Sequence, residues 1–253
     1  MCSAYQGVIG VSFWEFGILA KARVNRWLLV PALALVLAIA VFCGWRWAVH
    51  WVPDRSAYPV QGLWLDAGNG AVEWRTVKAN GPGGKSPDFV YLTASSGADQ
   101  RDPAFAASYD AARAVGLQVG AVHVYDLCAP ADTQASNFVT TVPRDKRMLP
   151  TAIAIAIDPK RCPDPPGEAS IDSELTTFLN EVERHLGQPV ILMPTAEAEK
   201  RYHLAARVDR NVWVTGGYRA PTYASRPWVL WTATHRLRIP GIAGPVRWVV
   251  VQP

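Results

Sequence analysis

No part of this 253-residue chain carries a dense run of lysine or arginine. Its formal charge of +4 is spread along the length, which argues against nucleic acid as a partner. No group of His, Cys, Asp and Glu has metal-ligand spacing, so neither a metal nor a cofactor is expected. No serine or cysteine sits in a recognisable nucleophile elbow. Low-complexity segments and fixed-period repeats are absent, and glycine and proline, 19 and 20 residues, are near average, so extensive disorder is not expected. What the chain has in quantity is apolar surface. Half of it is hydrophobic, enough for one large domain with a sizeable core or for two small ones.

The longest apolar run, "WLLVPALALVLAIAVFCGW" at 27–45, has no charge over 19 positions and is long enough to cross a bilayer as a helix. Lys21, Arg23 and Arg26 precede it, Trp27, Trp45, Trp47 and Trp51 flank it, and no convincing small-x-small cleavage pattern follows. The expected organisation is a cytoplasmic segment at 1–26, a single-pass signal anchor in the cytoplasmic membrane at 27–45 and a linker at 46–61. A domain at 62–253 then lies in the periplasm or outside the cell. A cleaved signal peptide and a buried core helix are the alternatives. The basic cluster lies unusually far from Met1, as expected if the real start is further along the chain.

After the linker, short apolar runs alternate with helical segments. Eight candidate strands lie at 62–66, 88–93, 117–125, 151–157, 189–193, 211–215, 228–232 and 246–251. One helix is well punctuated, with Asp102 as N-cap, Pro103 at the first position, and Gly116 as stop. Another carries Leu175, Phe178, Leu179, Val182 and Leu186 at helical spacing before Gly187. Such alternation implies parallel pairing. The last three strands are joined by segments too short or too rich in Pro and Gly for full helices. The expected fold is therefore α/β: an irregular TIM-type βα barrel of eight strands, with helices reduced after the fifth. Its working face is at the strand C-terminal ends.

Several stretches, in order, resemble the glycoside hydrolase family 25 muramidases, lysozymes that cleave peptidoglycan. These are "GLWLDAGNGAVEW", the run from "DFVYLTASSGADQRDP" to "GLQVGAVHVY", "TQASNF", Leu149 and Pro150, "FLNEVERHLGQPVIL", and "PWVLW" followed by "RIPGIAG". The resemblance covers about Gly62 to Val251 and implies an eight-stranded βα barrel whose last strands lack full helices.

The resemblance also implies where carboxylates belong, since glycosidic hydrolysis normally uses two flanking the scissile bond. In "LPTAIAIAID" at 149–158 the family's paired acids fall at Ala154 and Ala156. The first-strand acid falls at Trp64, the last-strand acid at Arg247, and a glutamate after the second strand at Ser96. An alanine neither donates nor accepts a proton, so the inherited mechanism is expected to fail. Asp66, Asp126 and Asp158 stand at or just past strand ends, where displaced carboxylates would sit if activity survived.

Trp64, His123, Tyr125, Trp213 and Trp231 are expected on the same face, where rings stack on a pyranose. Barrel filling is the competing reading, favoured for Trp64, and His123 is more often a core residue than a catalyst. Three functions follow. The first is a silent barrel that binds peptidoglycan, a related glycan or a cell-envelope protein. The second is an active hydrolase with displaced acids, and the third a structural barrel with a filled groove. Cys128 and Cys162 are the only cysteine pair in the expected exported domain. They follow consecutive strands of a parallel barrel, so a disulfide between them is expected, with two free thiols as the alternative.

Overall fold

The structure is a computed structural model that describes residues 26–253, with side chains from Leu29. Most of the expected cytoplasmic segment, with Lys21 and Arg23, lies outside the described residues. The chain divides into two compact units, one ending at Trp45 and the other running from Arg46 to Pro253.

In the first unit the described residues belong to helix α1 (Arg26–His50), which continues into the start of the second. Its stretch Leu29–His50 is long and apolar enough to cross a membrane, and none of that stretch is buried by protein.

The second unit is a closed barrel. Its strands are β1 (Gln61–Leu65), β2 (Phe89–Ser96), β4 (Gln118–Tyr125), β5 (Leu149–Ile155), β6 (Ile191–Pro194), β7 (Asn211–Thr215), β8 (Trp228–Leu237) and β9 (Val246–Val251). A two-residue strand, β3 (Gln100–Arg101), forms a hairpin with the end of β2 outside the eight. Pairing from β1 through β2 and β4 to β8 is parallel throughout. The last strand corrects the parallel expectation, because β9 is antiparallel to both β8 and β1. With only the segment 238–245 between β8 and β9 there is no room for a crossover helix, so the chain reverses. Gly241, at φ 91°, makes that turn, and a Cβ added there would lie 3.0 Å from the Glu73 carbonyl oxygen.

Helices α2 (Trp74–Ala79), α3 (Phe105–Ala114), α4 (Ala131–Thr141) and α5 (Glu168–Leu186) follow the first four barrel strands. Only the short α6 (Ala196–Tyr202) and α7 (Leu204–Arg207) come after β6, and none after β7 or β8. α5 buries Leu175, Phe178, Leu179, Val182 and Leu186 and ends on left-handed Gly187, as its pattern requires. α3 starts later than its punctuation suggests. Asp102 caps a preliminary turn by accepting from the Ala104 amide, and the helix begins at Phe105.

Apolar residues form two layers. One fills the barrel, with Phe89, Tyr91, Val122, Ala152, Met193 and Trp213. The other lies between strands and helices. Residues 51–60 belong to this outer layer: Trp51, Val52 and Tyr58 pack on it, and the Tyr58 ring meets Trp228 and Trp231. They cover the wall that lacks a helix.

Candidate functional site

The mouth of the barrel is the end where the parallel strands finish. On β1 the inward position is Trp64. Its indole N–H donates to the Thr93 hydroxyl at 3.0 Å, and its edge meets Trp213 with ring centres 5.6 Å apart. Trp213 in turn donates to Thr232 at 2.8 Å and is fully buried. Ala154 on β5 packs against this interior cluster, and Ala156 follows at the same parity one residue beyond the strand. The mouth therefore presents methyl groups on one side and the Trp64 indole, backed by buried Trp213, on the other.

Arg247 lies opposite Trp64 in the antiparallel β1–β9 pair. Its guanidinium sits 4.2 Å from the centre of the Trp64 ring and donates to Asp66 at 2.7 Å. The other Asp66 oxygen accepts from the Gly68 amide, capping a single 3₁₀ turn. Both oxygens of this carboxylate are thus engaged.

The other two candidate acids are also held in their loops. Asp126 accepts from the Cys128 amide at 3.0 Å, and its second oxygen is 3.9 Å from Arg161. Asp158 accepts from the Lys160 amide at 3.0 Å. Arg161 extends from the loop after β5 and donates to Ser96 at 2.8 Å. Cys128 and Cys162 are joined by a disulfide, with Cα atoms 5.4 Å apart, which ties the loops after β4 and β5 together. The side chain that bridges the loops, Arg161, is anchored one residue before Cys162. Sequence reasoning passed over it, because an arginine in an irregular loop has no periodicity to mark it.

Three of the five aromatic candidates lie elsewhere. His123, Tyr125 and Trp231 are buried and face outward, between strands and helices. The His123 ring stacks on Phe178 at 4.9 Å, and Tyr125 meets the same ring edge-on at 5.2 Å. Trp231 lies under Tyr58. The reason is the two-residue period of a strand. Gly120 and Val122 face inward on β4 and Leu230 on β8, so the residues next to them in parity point away. His123 bonds with Ser95 at 2.9 Å and approaches Gln134 at 3.4 Å, and burial lowers its pKa to about 4. A neutral imidazole closed off from solvent is not a proton shuttle for the mouth. Burial also raises the Tyr125 hydroxyl pKa.

Gln134 and Asn137, from "TQASNF", fix the rim. Gln134 accepts from the Asp126 amide and donates to the carbonyls of Asp126 and Ala129, and Asn137 donates to the carbonyls of Gly97 and Gln100. Beside Asp66, Thr93, Ser96 and Asp102 there is a cavity of about 200 Å³. That is below the roughly 300 to 1,000 Å³ usual for ligand pockets. Among the described residues no group of three His, Cys, Asp or Glu is placed to hold a metal ion.

Comparison with known proteins agrees with this architecture. The family profile for glycosyl hydrolases family 25 matches residues 65–242. The Escherichia coli K12 protein YegX is 24% identical over 195 residues, which cover 76% of this chain and 69% of YegX. Among solved structures, a family 25 glycosyl hydrolase from Bacillus anthracis superposes with a TM-score of 0.71 at 25% identity, covering 81% of this chain and 93% of that one. The bacterial lysozyme from Streptomyces coelicolor gives 0.67 at 24% identity, covering 77% and 92%. With its closed barrel, its antiparallel last strand and a profile match over most of that barrel, this chain belongs to glycosyl hydrolases family 25.

Proposed function

We propose that the protein is a membrane-anchored, catalytically silent lysozyme-like barrel that holds cell-wall glycan outside the cytoplasm without cleaving it. α1 supplies the anchor, and the barrel that follows it faces the wall. The observation that carries this reading is the filled mouth. Ala154 and Ala156 offer no proton donor or base where a family 25 enzyme is expected to carry its acids. Arg247 and Trp64 occupy the two further acid positions and lock onto each other. A glycosidase needs a carboxylic acid and a second carboxylate across the bond. Here Asp66, Asp126 and Asp158 are each tied to an arginine or a loop amide. What the mouth offers a sugar is the half-buried Trp64 ring beside Arg247, and the Thr93 and Ser96 hydroxyls, which accept from Trp64 and Arg161 and keep a hydrogen to donate.

The test uses the full chain in detergent with purified peptidoglycan, measuring co-sedimentation and reducing-end release together. Retention on the polymer without new reducing ends supports the reading. Reducing ends at a rate that Asp66→Asn or Asp158→Asn abolishes would overturn it in favour of displaced carboxylates. Neither binding nor cleavage would leave a structural barrel.

A further inference from the structure

At the end of the barrel opposite the mouth, where the parallel strands begin, the connections into β6, β7 and β8 meet around a second cleft. Asp209 and Arg210 lead into β7, which opens with Asn211, and Arg226 leads into β8, which opens with Trp228. These residues line a space of about 630 Å³. That volume falls within the roughly 300 to 1,000 Å³ usual for ligand pockets, which the cavity at the mouth does not reach. No helix joins β7 to β8, so this wall is left open where a crossover helix would otherwise cover it.

The cleft is balanced in charge. Arg226 donates to Asp209 at 2.8 Å, and Arg210 holds Glu183 at 2.6 Å. An anion entering here would meet Asp209, and a cation would meet Arg226, so the cleft favours an uncharged ligand. Its hydrogen-bonding capacity is nevertheless unspent. Among the described residues, the second oxygen of Asp209, the exposed amide of Asn211 and the indole N–H of Trp228 have no hydrogen-bond partner. The half-buried Trp228 ring is fixed in place by Tyr58 and Trp231, with centres 6.2 and 6.1 Å away and planes inclined by 31° and 62°, so neither lies flat on it. Pro189 and Pro227 add apolar wall. A pyranose has an apolar C–H face and a rim of hydroxyls that donate and accept. A fixed indole flanked by an acceptor, an amide and a donor, without net charge, is complementary to it.

We propose that this cleft is a second saccharide site, separate from the mouth, which takes an uncharged pyranoside with its C–H face on Trp228 and its hydroxyls on Asn211 and Asp209. The site is independent of whether the mouth binds or cleaves glycan, because it shares no residue with it.

The test titrates the full chain, with isotope-labelled tryptophan and in a detergent without a sugar headgroup, with triacetylchitotriose, an uncharged amino-sugar trimer. The indole N–H signals of Trp228 and Trp64 are each identified by their loss on substitution to Phe. The Trp228 signal is expected to move as the trimer is added, with the same Kd at low and high salt. Asn211→Ala, which removes an exposed side chain, is expected to weaken the trimer by about three- to tenfold, and Trp228→Leu by at least about tenfold. A shift at Trp64 with none at Trp228 would put the trimer in the mouth, overturning the second site while leaving the reading of the mouth intact. A still Trp228 signal with no binding anywhere, a Kd that rises steeply with salt, or full affinity in Asn211→Ala would each overturn the second site as well.

Discussion

The guanidinium of Arg247 stacks on the ring of Trp64 at 4.2 Å while donating to Asp66 at 2.7 Å. These residues come from opposite ends of the barrel sequence and meet only because β9 closes against β1 in antiparallel register. The contact therefore staples the seam of the barrel at its mouth. Because the Trp64 ring also meets Trp213 and bonds Thr93, the mouth is filled by a set of contacts that support one another.

The first prediction follows. Ala154→Asp combined with Ala156→Glu is expected to release no reducing ends from peptidoglycan, since Trp64 and Arg247 still occupy the facing strands. The new aspartate would also lie against the apolar interior cluster without a designed partner. A loss of about 1 to 3 kcal/mol is expected in urea unfolding. Hydrolysis by the double variant would show that the facing strands were open after all.

A second prediction concerns the Cys128–Cys162 bond, which spans a sequence separation of 34. In the chain-entropy account such a cross-link contributes about 3 to 4 kcal/mol. Cys162→Ser is expected to lower the unfolding midpoint, and reductant to lower the wild-type midpoint by a similar amount. Alkylation followed by intact mass is the direct check: unfolding with reductant should add two labels beyond those taken up without it.

The seam and the disulfide show how unevenly the structure was written in the sequence. α5 was legible because its buried residues recur at helical spacing and Gly187 marks its end. The barrel strands were legible as short apolar runs. β9's direction was not, since an apolar run carries no sign of which way its neighbour points. The inward face was the main failure. β4 and β8 are buried on both sides, so His123, Tyr125 and Trp231 sit in runs without visible alternation. Trp64 and Trp213 are expected on the inward face and do lie in the interior cluster. The clue that was available on β4 is Gly120, whose missing side chain makes room for another residue inside the barrel.

That clue gives a third prediction. A methyl group added at Gly120 would lie 2.3 Å from the Tyr91 ring. The ring cannot retreat freely, because its hydroxyl donates to the Pro150 carbonyl at 3.0 Å and its face meets Trp213 at 4.8 Å. Gly120→Ala is expected to cost about 1 to 3 kcal/mol by overpacking. Adding Tyr91→Leu should recover part of that loss, and a measured cost that is simply additive would show that the two positions do not compete for space.

The last prediction is a pH dependence of stability set by His123. In the folded barrel this imidazole is buried against Phe178, and desolvation holds its pKa at about 4. In the unfolded chain it returns to its ordinary value near 6.5. Between those two values the unfolded state binds the proton and the folded state does not, so stability falls as pH drops from about 6.5 toward 4. A shift of this size corresponds to as much as about 3 kcal/mol at the lower limit. The carboxylate of Asp145, held below its usual range first by the Arg147 amide and then by Tyr109 and its basic neighbours, loses its contribution only at lower pH. The two effects therefore occupy separate windows. Urea unfolding of the full chain at pH 7.5 and 4.5 is expected to show the His123 loss, and His123→Phe, which keeps a ring against Phe178 but carries no proton, should flatten it. The same pH slope in both proteins would show that His123 does not set it.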